Sequence, residues 1–138
     1  MPESPDLTLE RASTFVRGAG LQVETATPAL VTGTISAGAE HHTPWGVVHG
    51  GVYTTAVESA CSIGASMAVA GRGEFAVGLA NQTDFLRPHR EGALRVRATP
   101  IQQGRTQQLW QCDISREDGK LVARGQLRLQ NVPLPEGA

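Results

Sequence analysis

The chain has 138 residues, 12 of them basic and 13 acidic, for a formal net charge of −1. That length suits one domain with a sizeable core, and the charge balance lacks the basic excess of a nucleic-acid binder. Small phosphate-bearing ligands stay open, because the basic residues are eleven arginines and one lysine, and the planar guanidinium fork suits phosphate.

The first thirteen residues, MPESPDLTLERAS, hold neither a basic stretch nor an apolar run, so no signal peptide is expected. Ser4-Pro5 reads as a helix start, with Ser capping and Pro at the first helical position. Leu7, Leu9, Ala12, Phe15 and Val16 predict a short amphipathic helix over about residues 5–17, stopped by Gly18 and Gly20. Leu21 to Ser36 alternates apolar and polar residues around a turn at Pro28, the pattern of a β-hairpin. A loop with Gly38, Pro44 and Gly46 then delivers the chain to its most distinctive stretch.

From His49 to Ala70 the sequence is HGGVYTTAVESACSIGASMAVA, with no proline and a single charge, Glu58. Alanines 56, 60, 65, 68 and 70 are strong helix formers, and the predicted helix, over about residues 50–70, is about 30 Å long. Thr54, Thr55, Ser59, Ser62 and Ser66 make it too polar for a membrane span. It reads instead as a central helix enclosed by a sheet, with Glu58 in apolar surroundings that would disfavour its charged form. Glu58 shares a helical face with Thr54, Thr55, Cys61 and Ser62, and the hydroxyls of Thr54, Thr55 and Ser62 are the strong hydrogen-bonding groups near it.

Gly71-Arg72-Gly73 ends the helix, and the remainder of the chain reads as four strands: Glu74 to Leu86, Ala93 to Gln102, Arg105 to Ser115 and Leu121 to Val132. Pro100 predicts a bend or a sheet edge in the second of them. Asp118-Gly119 between the last two is a strong hairpin signal, since it accepts the positive φ of a tight turn. The expected architecture is α+β, one buried helix across a curved antiparallel sheet, in a single domain over residues 1–138. Cys61 and Cys112 fall in the helix and a strand, and read as reduced core thiols of a cytoplasmic protein.

Gly50 and Gly51 occupy the helix start, where backbone N–H groups lack intrahelical partners and the macrodipole is positive. Without Cβ atoms they let another molecule approach those N–H groups, so the site can hold an anion or an oxygen becoming one. An isolated Glu about two turns further into the helix makes this a stronger signal than the His-Gly-Gly run alone.

The run Thr43-Pro44-Trp45-Gly46-Val47-Val48-His49-Gly50-Gly51, followed by Glu58 and Ser62, resembles the hotdog-fold acyl-CoA thioesterases. It is most similar to the PaaI-type branch that includes 4-hydroxybenzoyl-CoA and 1,4-dihydroxy-2-naphthoyl-CoA thioesterases. Asp84 to Pro88, Gly104-Arg105-Thr106 and Asp118 to Ala123 extend the resemblance over most of the chain. It implies a hotdog fold and hydrolysis of an acyl-CoA, with an aromatic acyl group favoured by Glu58 and Ser62. It further implies that the Gly50 amide polarises the thioester carbonyl. Glu58, from the opposite subunit of a dimer, would then act as nucleophile or general base. Ser62 would hold that carboxylate or the water, and His49 would brace the loop. Thr43 stands where the family usually has Asn or Gln. The helix start at Gly51, with Arg87 and with Arg105-Thr106, would bind substrate, the arginines holding the phosphates of coenzyme A; His89 and Arg90 extend that basic cluster. No cofactor and no metal are called for. A homodimer, or a homotetramer built from it, would cover the exposed sheet edge and the mouth of the helix.

Other chemistries fit less well. No G-x-S-x-G elbow is present for a Ser-His-Asp triad. His41, His42, His49 and Glu58 could supply metal ligands, but adjacent histidines point apart in most backbones, and no H-E-x-x-H spacing occurs. Trp45, Tyr53, Phe75 and Phe85 are the candidates for an aromatic pocket, with Asn81 and Gln82 as polar ones. Two alternatives from other classes are a hotdog hydratase or dehydratase and a non-catalytic acyl-CoA binding module.

Overall fold

The computed structural model describes residues 9–135. After a five-residue helix, α1 (Thr14–Gly18), come β1 (Leu21–Thr27) and β2 (Leu30–Ala37), then the long helix α2 (Gly50–Val69), then β3 (Glu74–Phe85), β4 (Gly92–Gln103), β5 (Gln107–Arg116) and β6 (Leu121–Pro133). All six strands form one sheet, antiparallel throughout, in the order β1-β2-β4-β5-β6-β3. The helix α2 packs against every strand. For one 20-residue helix to touch six strands, the sheet must curl around it.

The strands alternate as the sequence predicts. In β5 the inward residues are Gln108, Trp110, Cys112 and Ile114, and in β2 they are Val31, Gly33, Ile35 and Ala37. They meet a helix face of small residues: Ala56, Val57, Ala60, Cys61, Gly64 and Ala65. Small residues bring the helix axis close to the sheet, leaving room for one large side chain, Trp110, which is fully buried beside Gly64. A polar network crosses this core. Gln108 Nε2 donates to the Ala65 carbonyl at 3.0 Å and to Asn131 Oδ1 at 2.9 Å, and Gln108 Oε1 accepts from Trp110 Nε1 at 2.9 Å. Fully paired, it ties β5 and β6 to one register on the helix.

Local punctuation behaves as expected. Gly73 takes φ +70° after a closing 3-10 turn, Ala70–Arg72, and Gly119 takes φ +83° in the β5–β6 hairpin. There Asp118 accepts from the Lys120 N–H and pairs with Arg116; the amide, then the guanidinium, hold its carboxyl below the usual range. β4 is an interior strand of the sheet, but its pairing with β2 ends at Ala98, so Pro100 pairs only with β5, and a bulge follows between Pro100 and Gln102. Cys61 and Cys112 are free and buried; the Cys112 side chain beside it, with burial, raises the Cys61 thiol.

Three expectations are corrected. The N-terminal helix is shorter than 5–17: it begins after Ser13, whose hydroxyl accepts from the Val16 N–H, and the Ser4-Pro5 start lies outside the described residues. The central helix is not wrapped on all sides. Thr54, Thr55, Glu58, Ser59 and Ser62 form a stripe turned away from the sheet, and Glu58 is exposed. Cys61 sits on the core face with Cys112, not beside Glu58. The reason for the last two is the same. A sheet covers one side of a helix, and short hydroxyl side chains can satisfy themselves on an open face, as Thr54 does by donating to the Gly51 carbonyl at 3.1 Å.

The strand β3 is an edge. Only Ala76 of its twelve residues is buried, and Val77, Leu79 and Phe85 are exposed. It carries a bulge between Gly78 and Ala80. No helix among the described residues is long and apolar enough to cross a membrane.

Candidate active site

The His49-Gly50-Gly51 turn is held from several directions. The Val48 N–H donates to the His89 carbonyl at 2.8 Å, and the His49 N–H to the His41 carbonyl at 2.8 Å. His49 is the N-cap of α2: its Nδ1 accepts from the Gly51 N–H at 2.8 Å, while its carbonyl accepts from the Val52 N–H at 2.9 Å. With Nδ1 used as an acceptor, the proton of the neutral ring sits on Nε2. His49 thus caps the helix and ties the turn to it.

Those bonds use the second and third amides of the helix and leave the first. The Gly50 N–H has no hydrogen-bond partner among the described residues. It lies at the positive end of a 20-residue helix dipole. The edge of Phe85 packs over Gly50 so closely that a Cβ there would come within 2.5 Å of Phe85 Cε2. A side chain at this position would have to displace the exposed Phe85 ring. Phe85 also meets Tyr53, ring centroids 6.0 Å apart and planes at 45°. Together with Val47, Val48 and Leu86 they border a cavity of about 250 Å³, which Arg87 also lines.

Glu58 lies eight residues along the same helix, about 12 Å at about 1.5 Å per residue. It lines a separate groove of about 580 Å³ with Thr54, Thr55, Ser59 and Ser62 and, from the N-terminal segment, Phe15 and Val16. No hydrogen bond or ion pair reaches its carboxylate among the described residues. The edge strand passes beside it at the β3 bulge, where a Cβ on Gly78 would stand at an ordinary contact distance, 3.7 Å, from Glu58 Cδ. Asn81 borders the same groove; its Nδ2 donates to the Thr54 carbonyl at 3.0 Å and its Oδ1 accepts from Thr83 at 2.7 Å.

The remaining sequence candidates divide by position. Arg87 is near Gly50, with Nη1 donating to the Leu121 carbonyl at 2.8 Å. Arg105 and Thr106 are exposed at the other end of α2: the Arg105 carbonyl accepts from Arg72 Nη2, just past the helix C-terminus. Within one chain the structure does not bring them to Gly50. Thr43 sits in the loop before the turn, its hydroxyl accepting from the Trp45 N–H at 3.2 Å. Trp45 is 82% exposed, so its ring lines no interior pocket in the protomer. The histidines do not converge. His41 Nδ1 accepts from the Gly38 N–H, His42 Nε2 bonds the Arg90 carbonyl, and His89 Nε2 bonds the Gly92 carbonyl. No cluster of three metal-ligating side chains occurs among the described residues.

The chain is similar to known proteins on both sequence and structure. Residues 46–123 match the thioesterase superfamily. Proteins named "Putative esterase" are 45% identical over 89 residues in Mycobacterium tuberculosis, covering 63% of this chain and 64% of that one, and 40% identical over 97 residues in Haemophilus influenzae, covering 69% and 70%. The chain thus spans just under two thirds of the first relative's length, 64%. The 1,4-dihydroxy-2-naphthoyl-CoA hydrolase of Escherichia coli is 32% identical over 84 residues, 61% of each chain. Among solved structures, the M. tuberculosis protein superposes with a TM-score of 0.85 at 36% identity, covering 89% of this chain and 99% of that one. A thioesterase from H. influenzae gives 0.85 at 31%, covering 97% and 95%. A family match from the loop before the helix through β3, β4 and β5 to the start of β6, on a fold of one helix against six antiparallel strands, means that this chain belongs to the hotdog-fold thioesterase superfamily.

Proposed function

We propose that the protein hydrolyses an acyl-CoA thioester, with an aromatic acyl group, at a site completed by a second copy of the chain. The observation that carries this reading is the Gly50 N–H, unpaired at the head of α2 while the next two amides are used. A thioester carbonyl oxygen placed there would be stabilised as it gains negative charge, an effect worth about 10²–10³ in rate where one such donor has been removed. Glu58 would attack the carbonyl carbon or take a proton from the attacking water, and the thiolate of coenzyme A would leave. Ser62, one turn on and in the same groove, would orient that carboxylate or water. Arg87 at the cavity beside Gly50, with Gly51, would receive the coenzyme A side. The name of the E. coli relative, a hydrolase of an aromatic acyl-CoA, supports the choice of acyl group.

Geometry supports the second copy. Reacting atoms must stand about 3–3.5 Å apart, whereas Gly50 and Glu58 of one helix are about 12 Å apart. One protomer cannot place both on the same carbon. Glu58 is exposed beside the β3 edge, where another chain can reach it, and Val77 and Leu79 on that edge favour being covered. A two-fold pairing would set Glu58 of each copy against Gly50 of the other. It also gives Arg105 and Thr106, distant within one chain, a route to the substrate of the opposite subunit. Light scattering at micromolar concentration is expected to give two or four times the 14.6 kDa chain mass. A fully active monomer would overturn the two-subunit site.

Free-thiol release from benzoyl-, 4-hydroxybenzoyl-, 1,4-dihydroxy-2-naphthoyl- and hexanoyl-CoA tests the reaction. The expected result is stoichiometric coenzyme A release, fastest from aromatic esters. Tight binding without release would mark a binding module, and a change in enoyl absorbance with crotonyl-CoA would mark a hydratase.

A further inference from the structure

Tyr53 is 3% exposed, and its hydroxyl is the buried side-chain oxygen or nitrogen left without a hydrogen-bond partner among the described residues. The other buried polar groups here are paired: Gln108 with Ala65 and Asn131, Trp110 with Gln108, His41 with Gly38. Buried polar atoms are almost always satisfied, because an orphan forfeits the hydrogen bonds it made to water. An exception in a fold this well paired calls for a missing partner. The ring lines the cavity beside the free Gly50 N–H, against Phe85. The other walls are the apolar Val47, Val48, Leu86 and Pro88, with Gly50 and with Arg87, whose Nη1 is engaged by the Leu121 carbonyl; none of them hydrogen-bonds the hydroxyl.

We propose that the Tyr53 hydroxyl is a specificity contact of this site, hydrogen-bonding an uncharged polar group, a hydroxyl or an amide, that the substrate carries into the cavity. The inference rests on the thioesterase reading for what the substrate is. Burial raises the phenol above its ordinary value, so at neutral pH it is protonated and can both donate and accept. A site with such a group discriminates against substrates that lack its counterpart, since they leave the hydroxyl stranded. The group can come from a substituent on the acyl moiety or from an amide of the pantetheine arm; the hydrogen-bonding chemistry is the same.

Tyr53→Phe keeps the ring and its contact with Phe85 and removes the hydroxyl. It is expected to leave Tm equal or higher, because no intramolecular hydrogen bond is lost. The substrates to compare are 4-hydroxybenzoyl-CoA, benzoyl-CoA and the S-ethyl thioesters of the same two acids, which lack every amide. Wherever the partner group is present, kcat/KM should fall by about three- to tenfold, the range of one neutral hydrogen bond. A fall on both 4-hydroxybenzoyl esters and neither benzoyl ester places the group on the acyl moiety. A fall on both CoA esters and neither S-ethyl ester places it on the pantetheine arm. No fall anywhere, an equal fall on all four, or a lower Tm would overturn the proposal. Should the wild type hydrolyse none of them, the thioesterase reading fails by itself. Calorimetric affinity for ketone analogues, with CH2 in place of the thioester sulfur, then reads Tyr53 directly: a three- to tenfold loss in the variant supports the contact, and no loss, or no binding by the wild type, overturns it.

Discussion

Glu58→Gln is expected to lower thioester turnover by about 10²–10⁴-fold, the range for removing a positioned acid–base group. Substrate should still bind, because Gly50 and Arg87 are untouched. The variant's stability is as informative as its activity. A fully wrapped helix would have made Glu58 a buried charge, and neutralising it would raise Tm. In the protomer Glu58 is instead exposed, with no ion pair or hydrogen bond among the described residues, so its removal should change folding stability by no more than about 0.5 kcal/mol. Burial of the carboxylate by a second copy would add to the stability of the variant assembly, not subtract from it. The rival, a Glu that holds the structure through a buried Arg, predicts a loss of about 3–5 kcal/mol with turnover per folded molecule intact. One protein preparation, melted and assayed, separates the two. A variant that is less stable yet still hydrolyses acyl-CoA would sink the mechanism.

Gly64→Ala carries the largest expected change in stability. Judged from the helix alone, the substitution should stabilise, since glycine in a helix interior is worse than alanine by about 1 kcal/mol. The tertiary structure reverses the sign. A Cβ at Gly64 runs into Cη2 of Trp110 and stands 3.0 Å from Val31 Cγ2. The indole cannot swing aside, being fully buried with its N–H held by Gln108 Oε1 at 2.9 Å. Overpacking of this kind costs about 1–3 kcal/mol, which outweighs the propensity gain at its upper end and brings Tm down by several degrees for a domain of this size. The unfolding midpoint in urea measures it. A midpoint at or above that of the wild type would show that helix and sheet can part at little cost.

Much of this protein is set by local sequence. The helix from Gly50 to Val69 comes from twenty residues without proline, capped by His49 and closed at Gly73. The hairpin turn at Asp118-Gly119 and the alternation of β2 and β5 are equally local, because caps, turns and periodicity act within a few residues. The His-Gly-Gly turn is legible for the same reason: a cap and two residues without Cβ mark a helix start open to a ligand. The start of the short N-terminal helix is less legible, since the Ser13 hydroxyl takes a capping role for which Ser4 is an equally suitable residue type.

What the tertiary structure decided is everything that depends on which strand lies beside which. The sequence shows that Glu58 is alone on its helix; only the packing of α2 on one side of a sheet leaves it exposed, next to Gly78 on the edge strand. Arg87 and Arg105 read alike as arginines beside strands, yet the antiparallel order sends one to the head of α2 and the other to its foot. Tyr53 reads as a candidate pocket aromatic, and only the packing shows its hydroxyl buried and unpaired, with Phe85 from the end of β3 against its ring. Such contacts join residues tens of positions apart, and no periodicity in either segment encodes the distance between them.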